Sequence, residues 1–183
     1  MKHIVGIAGS LRSGSFNAAL LHAARDLIPA DLRTASIGAI PLYDADLEAR
    51  GLPDEVSLLQ RRILEADGLL MVTPEYNNSM PGVLKNAIDW LSRPAGEVRN
   101  VFSDKPVAIM GASPGRFGTI LSQDAWLPVF RTLRARLWLG GRLMVSHAHQ
   151  VFDDDGALTD DDLRERLERY LAGFVRFVED QSA

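Results

Sequence analysis

The segment Gly9-Ser10-Leu11-Arg12-Ser13-Gly14-Ser15-Phe16-Asn17 concentrates hydroxyls, an amide and a guanidinium in a short stretch. Hydroxyl and amide groups donate hydrogen bonds, and the planar guanidinium fork matches phosphate oxygens. If this loop opens a helix, the unpaired N–H groups and positive dipole end there also favour a phosphate. Spacing argues against two commoner phosphate loops. Gly9 and Gly14 stand as the glycines of G-x-x-x-x-G-K-[ST] do, but Ser15 occupies the lysine position, so an NTP site would lack its β/γ-phosphate cation. The glycines at 6, 9 and 14 also fail the dinucleotide pattern G-x-G-x-x-G. A cradle for one terminal phosphate monoester remains, against the plainer alternative of a polar turn with Ser15 as helix N-cap.

Two further segments could meet a flat ligand. Thr73-Pro74-Glu75-Tyr76-Asn77-Asn78-Ser79-Met80-Pro81-Gly82 ends in a proline suited to the first turn of a helix. The residues before it then form a loop whose backbone can read the edge of a heteroaromatic ring, with Tyr76 as apolar cover. Gly111-Ala112-Ser113-Pro114-Gly115-Arg116-Phe117-Gly118-Thr119 repeats the theme of small residues with one aromatic and one arginine. Small residues let a planar ligand approach the main chain, although a plain glycine loop would read the same way.

These loops need elements to hold them. Apolar runs at 3–8, 32–37, 68–73, 106–111 and 141–146 read as strands, and helices are expected near 15–28, 54–66, 81–92, 122–136 and 160–180. The alternation predicts a five-stranded, doubly wound parallel sheet with helices on both faces, an α/β/α sandwich. Such sheets bind ligands beyond the carboxyl ends of their strands, and the three loops directly follow the runs at 3–8, 68–73 and 106–111. In the last helix Leu163, Leu167, Tyr170, Leu171, Phe174 and Phe177 share one face, with Arg164, Glu165, Arg166, Glu168 and Arg169 on the rest. Thr159 with Asp162 three residues on resembles a capping box.

At 183 residues and 46% hydrophobic composition, the chain is expected to form one domain, residues 1–183. A net charge of -4 and a pI near 5.5 disfavour nucleic acid and anionic membrane as partners. Without cysteine there is no thiolate nucleophile and no disulfide framework, so redox chemistry requires a cofactor. The N-terminal apolar run is too short for a signal or a span, and a cytoplasmic protein is expected. No metal site is expected. His147 and His149 would share one side of an extended strand but have no evident third ligand, and Asp153-Asp154-Asp155-Gly156 misses the calcium-loop spacing and reads as a solvated turn. Trp126 and Trp138, with Phe130, Leu133 and Leu137, suit either a subunit interface or the core. Lys85 and Asp89 are placed to pair along a helix. No serine–histidine–acid or paired-carboxylate arrangement assembles at the loops, so no catalytic side chain is assigned.

The motifs GSLRSGSFN, TPEYNNSMPGVLKNAIDW and SPGRFGT, in this order, resemble the NADPH-dependent FMN reductase family, in particular its bacterial quinone and chromate reductase branch. The resemblance covers about the first two-thirds of the chain. It implies a flavodoxin-like fold and an FMN site, with Ser10, Arg12, Ser15, Phe16 and Asn17 at the phosphate. It places Pro74, Glu75, Tyr76 and Asn77 along the ribityl chain and isoalloxazine, and Ser113, Gly115, Arg116 and Gly118 beside the ring. The implied activity passes electrons from NAD(P)H through FMN to a small acceptor, a quinone, flavin, azo compound or chromate, in a ping-pong cycle. The family also implies a homodimer or homotetramer with the flavin near the subunit interface. A flavodoxin-type electron carrier is the alternative, though such carriers are typically much more acidic than 20 Lys+Arg against 24 Asp+Glu.

Overall fold

Gly68-Leu69-Leu70-Met71-Val72 offers no polar residue to either face, so as a strand it must be covered on both sides, and all five residues are buried. It is the middle strand of the sheet. The computed structural model describes residues 1–94 and 101–180. In chain order the elements are β1 (His3–Ala8), α1 (Phe16–Leu27), β2 (Asp31–Ala35), α2 (Ala45–Glu48), α3 (Asp54–Glu65), β3 (Gly68–Val72), α4 (Gly82–Leu91) and β4 (Pro106–Ala112). There follow α5 (Ile120–Thr132), β5 (Arg136–Leu137), β6 (Leu143–Val145), a 3-10 turn at Ala148–Gln150, and α6 (Asp161–Asp180).

The strands are parallel in the order β2-β1-β3-β4-β5, and β6 also pairs with β4. This is the flavodoxin-like order, with the switch point between β1 and β3. The fifth position is shared: β5 meets Pro106 and Val107 at the start of β4, and β6 meets Met110 to Ala112 at its end. The expected run at 141–146 is therefore β6, while β5 falls where a helix to residue 136 was expected. That helix stops at Thr132, and Arg134 turns left-handed at φ 59. Main-chain bonds from Asp104 to Arg134 and from Arg136 to Lys105 draw the chain onto the sheet edge, and this pairing overrides helix propensity.

Two apolar layers sandwich the sheet. Leu20, Leu21, Leu167 and Phe174 of α1 and α6 pack on one face, and Ile63, Ile88, Trp126 and Phe130 of α3, α4 and α5 on the other. Trp126 and Phe130 are thus core, whereas Trp138 is half-buried against Tyr170 and Phe174. The apolar face of α6 is buried as its period predicts, except that Phe177 is only partly so. Its cap lies one residue later than expected, since Asp160 accepts from the Leu163 N–H at 2.7 Å. Thr159 spends its N–H and hydroxyl on the Val151 carbonyl instead. His147 is left-handed at φ 48 and enters the 3-10 turn, so the two histidines do not lie on a strand. Lys85 and Asp89 do pair, at 2.7 Å. The Asp153 carboxylate accepts from the Asp155 and Ala157 N–H groups, which makes that segment a turn.

Candidate functional site

The first loop leaves β1 still tied to β3, with the Gly9 N–H donating to the Val72 carbonyl at 2.8 Å. Gly9 has to be bare, because a Cβ there would come within 2.7 Å of Leu84 and 3.0 Å of Pro74. Ser15 caps α1 by accepting from the Ala18 N–H at 3.3 Å. The polar-turn reading is therefore correct as geometry, yet it leaves donors over. The Ser13–Gly14 turn points the Ser15 N–H back toward the Arg12 carbonyl, while the N–H groups of Ser13, Gly14, Phe16 and Asn17 meet no acceptor among the described residues. Arg12 stacks 5.5 Å over the Phe16 ring, donates to the Gly14 carbonyl, and has no carboxylate partner among the described residues.

Asn17 does something the sequence did not suggest. Its amide donates to the Ala112 carbonyl at 2.8 Å and accepts from the Ala112 N–H at 2.9 Å, fully buried between α1 and β4. The side chain imitates a strand neighbour and joins the first loop to the third. Leaving those main-chain groups unpaired would cost about 1–3 kcal/mol each.

The second loop is held from behind. The buried Thr73 hydroxyl donates to the Pro74 carbonyl at 2.9 Å, receives the Trp126 indole N–H at 3.2 Å, and meets Ser122 Oγ at 2.9 Å. The Glu75 carboxylate accepts from the N–H groups of Leu121 and Ser122 at 2.8 and 3.1 Å. It caps α5 from another loop, since Thr119 provides no side-chain cap. Beyond it, Tyr76 and Ser79 exchange main-chain hydrogen bonds of 3.0 Å around Asn77 and Asn78, both left-handed at φ 50 and 61. That is a two-residue primed turn, and asparagine is among the few residues that tolerate it.

The third loop is fixed by main-chain bonds from Ser113 to Val145, Ala148 to Ser113 and His147 to Gly115. Gly111 is required by crowding, because a Cβ would sit 2.1 Å from the Thr73 carbonyl oxygen. Where the loops converge, a cleft of about 240 Å³ is lined by Ser10, Arg12, Ser15, Phe16 and Asn17, then Pro74, Glu75 and Tyr76, then Ala112, Ser113 and Pro114. A hollow of about 340 Å³ continues round Arg12 to Phe16 toward the 153–156 turn. Of the residues expected at the cofactor, Asn77, Gly115, Arg116 and Gly118 lie outside the cleft lining. Asn77 shapes the turn, Gly118 is left-handed at φ 63 against Met144, and exposed Arg116 lies beside the Phe117 ring. Pro114, inside the 113–118 segment expected beside the ring, and Ala112, directly before that segment, join the lining.

A larger hollow of about 1070 Å³ opens between α2, α3 and Arg93. It touches no strand end, and its Glu48 and Asp54 are balanced by Arg61 and Arg93, so neither its place in the fold nor its charge marks it as a phosphate site. The cleft, by contrast, joins an anion cradle to two main-chain walls that can hold a flat ring. Among the described residues that line it there is no histidine, cysteine or lysine, and the one carboxylate is engaged as a cap, so a bound cofactor has to supply any redox chemistry.

Residues 2–150 match the family model described as NADPH-dependent FMN reductase. A Pseudomonas aeruginosa protein named NAD(P)H-dependent FMN reductase is 46% identical over 177 residues, covering 96% of this chain and 94% of that one. A 2-hydroxy-1,4-benzoquinone reductase from Burkholderia sp. is 39% identical over 180 residues, covering 97% of both. The solved structure of FerB, a flavoenzyme NAD(P)H:(acceptor) oxidoreductase from Paracoccus denitrificans, superposes with a TM-score of 0.88 at 33% identity and 99% coverage of each chain.

Proposed function

This chain belongs to the NADPH-dependent FMN reductase family, with FMN and NAD(P)H as its cofactors, and we propose that the cleft at the carboxyl ends of β1, β3 and β4 is where the FMN sits. The observation that carries this reading is the set of free N–H groups at Ser13, Gly14, Phe16 and Asn17, beside an Arg12 that has no carboxylate partner among the described residues, at one end of a cleft walled by main chain. Ser10, Ser13 and Ser15 add hydroxyls to the phosphate cradle, while Pro74 to Tyr76 and Ala112 to Pro114 flank the ring. Bound in this cleft, FMN would supply the redox chemistry between NAD(P)H and an acceptor. The protein's own residues bind and orient; none of those lining the cleft is needed as an obligatory acid or base.

Relatives named for quinones favour a quinone as acceptor, with flavins, azo compounds and chromate also compatible with an open cleft. Nicotinamide and acceptor would enter the same opening in turn, which gives ping-pong kinetics. A homodimer or homotetramer fits the exposed apolar side chains Leu11, Leu42 and Phe117. A cytoplasmic location remains part of the proposal; no helix among the described residues is long and apolar enough to cross a membrane.

The test is direct. Protein passed through gel filtration with added FMN should emerge yellow, and initial rates with NAD(P)H and a quinone should give parallel double-reciprocal lines. Absence of co-eluting flavin removes the site assignment. Intersecting lines from a ternary complex remove the shared opening, and flavin binding without NAD(P)H oxidation would point to the electron carrier.

A further inference from the structure

The outer edge of β4 is covered only in part. β5 pairs with Pro106 and Val107 and β6 with Met110 to Ala112, so Ala108 and Ile109 have no strand partner on that side. Residues 138–142 swing out of line at this gap. Side chains complete it: the Tyr170 hydroxyl donates to the Ile109 carbonyl at 2.7 Å. Burial pushes the Tyr170 pKa far above the ordinary phenol value, which keeps it a neutral donor. Trp138 lies edge-on to Tyr170 with ring centroids 4.6 Å apart. It fits because Gly140, Gly141 and Gly173 surround it; a Cβ at any of the three would approach the indole within 2.6 to 2.8 Å.

Outside the indole lies a hollow of about 290 Å³, walled by Arg142 from the out-of-line segment and by Arg166, Arg169 and Arg176 from α6. The three helix arginines fall along one face around Gly173, whose missing side chain deepens the hollow. No carboxylate among the described residues lines it. Arg169 is shared with Glu165 at 3.3 Å, whereas Arg142, Arg166 and Arg176 have no carboxylate partner among the described residues. In a chain with 20 basic against 24 acidic residues, four cations converge here, and only Arg169 has an acid beside it, Glu165, which lies outside the lining. Ordinary surfaces intersperse the two signs, and the mutual repulsion of these arginines is relieved by an anion. Guanidinium forks suit phosphate oxygens, and several of them suit a ligand carrying more than one phosphate charge. The hollow shares no residue with the cleft between the three loops.

We propose that this hollow at the sheet edge is a second anion site, one that takes a small phosphate-bearing molecule. It stands independently of the FMN assignment, because it uses none of the same residues.

The protein has three tryptophans, so its indole N–H region holds three NMR signals, each assignable by a Trp→Phe variant. Trp90 and Trp126 donate to Pro41 and Thr73 in the interior and serve as internal controls. With FMN saturating throughout, pyrophosphate and ADP are titrated separately. The Trp138 signal should move saturably below about 10 mM while the other two stay still. Arg166→Glu/Arg176→Glu should weaken the response by at least about tenfold. Arg33→Glu, a change at a likewise exposed residue on β2 at the opposite sheet edge, should leave it unaltered. Tighter binding of ADP identifies a nucleotide as the ligand, and equal or tighter binding of pyrophosphate identifies the phosphate group alone. No saturable movement of the Trp138 signal with either probe, or the same titration in the double variant as in the wild type, overturns the proposal.

Discussion

Glu75→Ala removes the one acceptor that the N–H groups of Leu121 and Ser122 share at the start of α5. Thr119 provides no side-chain cap to replace it. A lost helix cap costs about 0.5–2 kcal/mol, and hydrogen bonds to a charged group contribute about 1.5–3 kcal/mol. Leu121 is exposed, so water can satisfy its freed N–H, but Ser122 is fully buried and its N–H cannot be resolvated as easily. A loss of about 2 kcal/mol is therefore expected for the apoprotein. Glu75→Gln keeps an oxygen acceptor and drops only the charge at the helix N-terminus, which points to about 0.5–1 kcal/mol. Flavin binding should suffer less than stability, because Thr73 still ties the loop to Ser122 and Trp126. FMN and riboflavin affinities should fall together and by less than about tenfold, since the phosphate loop is untouched. Urea unfolding of the apoprotein, at unchanged m-value, measures the first quantity and flavin titration the second. An Ala variant as stable as the wild type that has lost flavin binding would refute the reasoning, because the carboxylate would then serve the ligand and not the helix.

Arg12→Ala should weaken FMN by roughly tenfold to a hundredfold and riboflavin hardly at all, since a bond to the charged phosphate contributes about 1.5–3 kcal/mol; equal losses in paired titrations would mean that Arg12 supports the ring or the fold. Gly111→Ala puts a Cβ 2.1 Å from the Thr73 carbonyl oxygen, and the main chain of both β3 and β4 has to move. A loss on the order of 3 kcal/mol or insolubility is expected, and an unaltered melting temperature would contradict the contact. Tyr170→Phe leaves the Ile109 carbonyl unpaired at the sheet edge and should cost about 1–3 kcal/mol in urea unfolding; no loss would mean that water reaches that carbonyl. Asp67 is partly buried, which raises its pKa, but the His3 N–H at 2.8 Å and the charges of Lys2 and Lys105 outweigh this and hold it below the usual carboxylate value. A carboxyl depressed on folding stabilises at neutral pH and loses that contribution as pH falls from the ordinary value through the depressed one. Asp67→Asn should therefore flatten the acid limb of the stability profile below about pH 4, and urea midpoints with unchanged pH dependence would count against it.

The strands at 3–8, 68–73 and 106–111 were legible in the sequence because a parallel strand buried on both faces needs nearly continuous apolar character, and few other elements do. The first loop was legible for a related reason: its donors are contiguous, so proximity in sequence already secures proximity in space. The last helix showed its buried face through its period alone. Local reading failed where a second segment decided. Arg136 read as the end of a helix, with Leu137 just beyond it, until pairing with Pro106 and Val107 made them a strand. Glu75 lines the cleft as its motif implied, but that its carboxylate also caps the N-terminus of α5, 46 residues on, could not be read locally. Asn17 lies in the cleft lining, but the pairing of its side-chain amide with Ala112, 95 residues away, gave no local sign. The arginines of α6 looked like an ordinary solvated face until Arg142 and Trp138 were brought opposite them. Residue type and spacing determined which elements form and which loops carry donors, because those depend on short-range sterics and burial period. Which donors remain free for a ligand was decided only by the tertiary fold, because a hydrogen-bonding group is spent on whichever partner arrives first in space, and sequence distance says little about that.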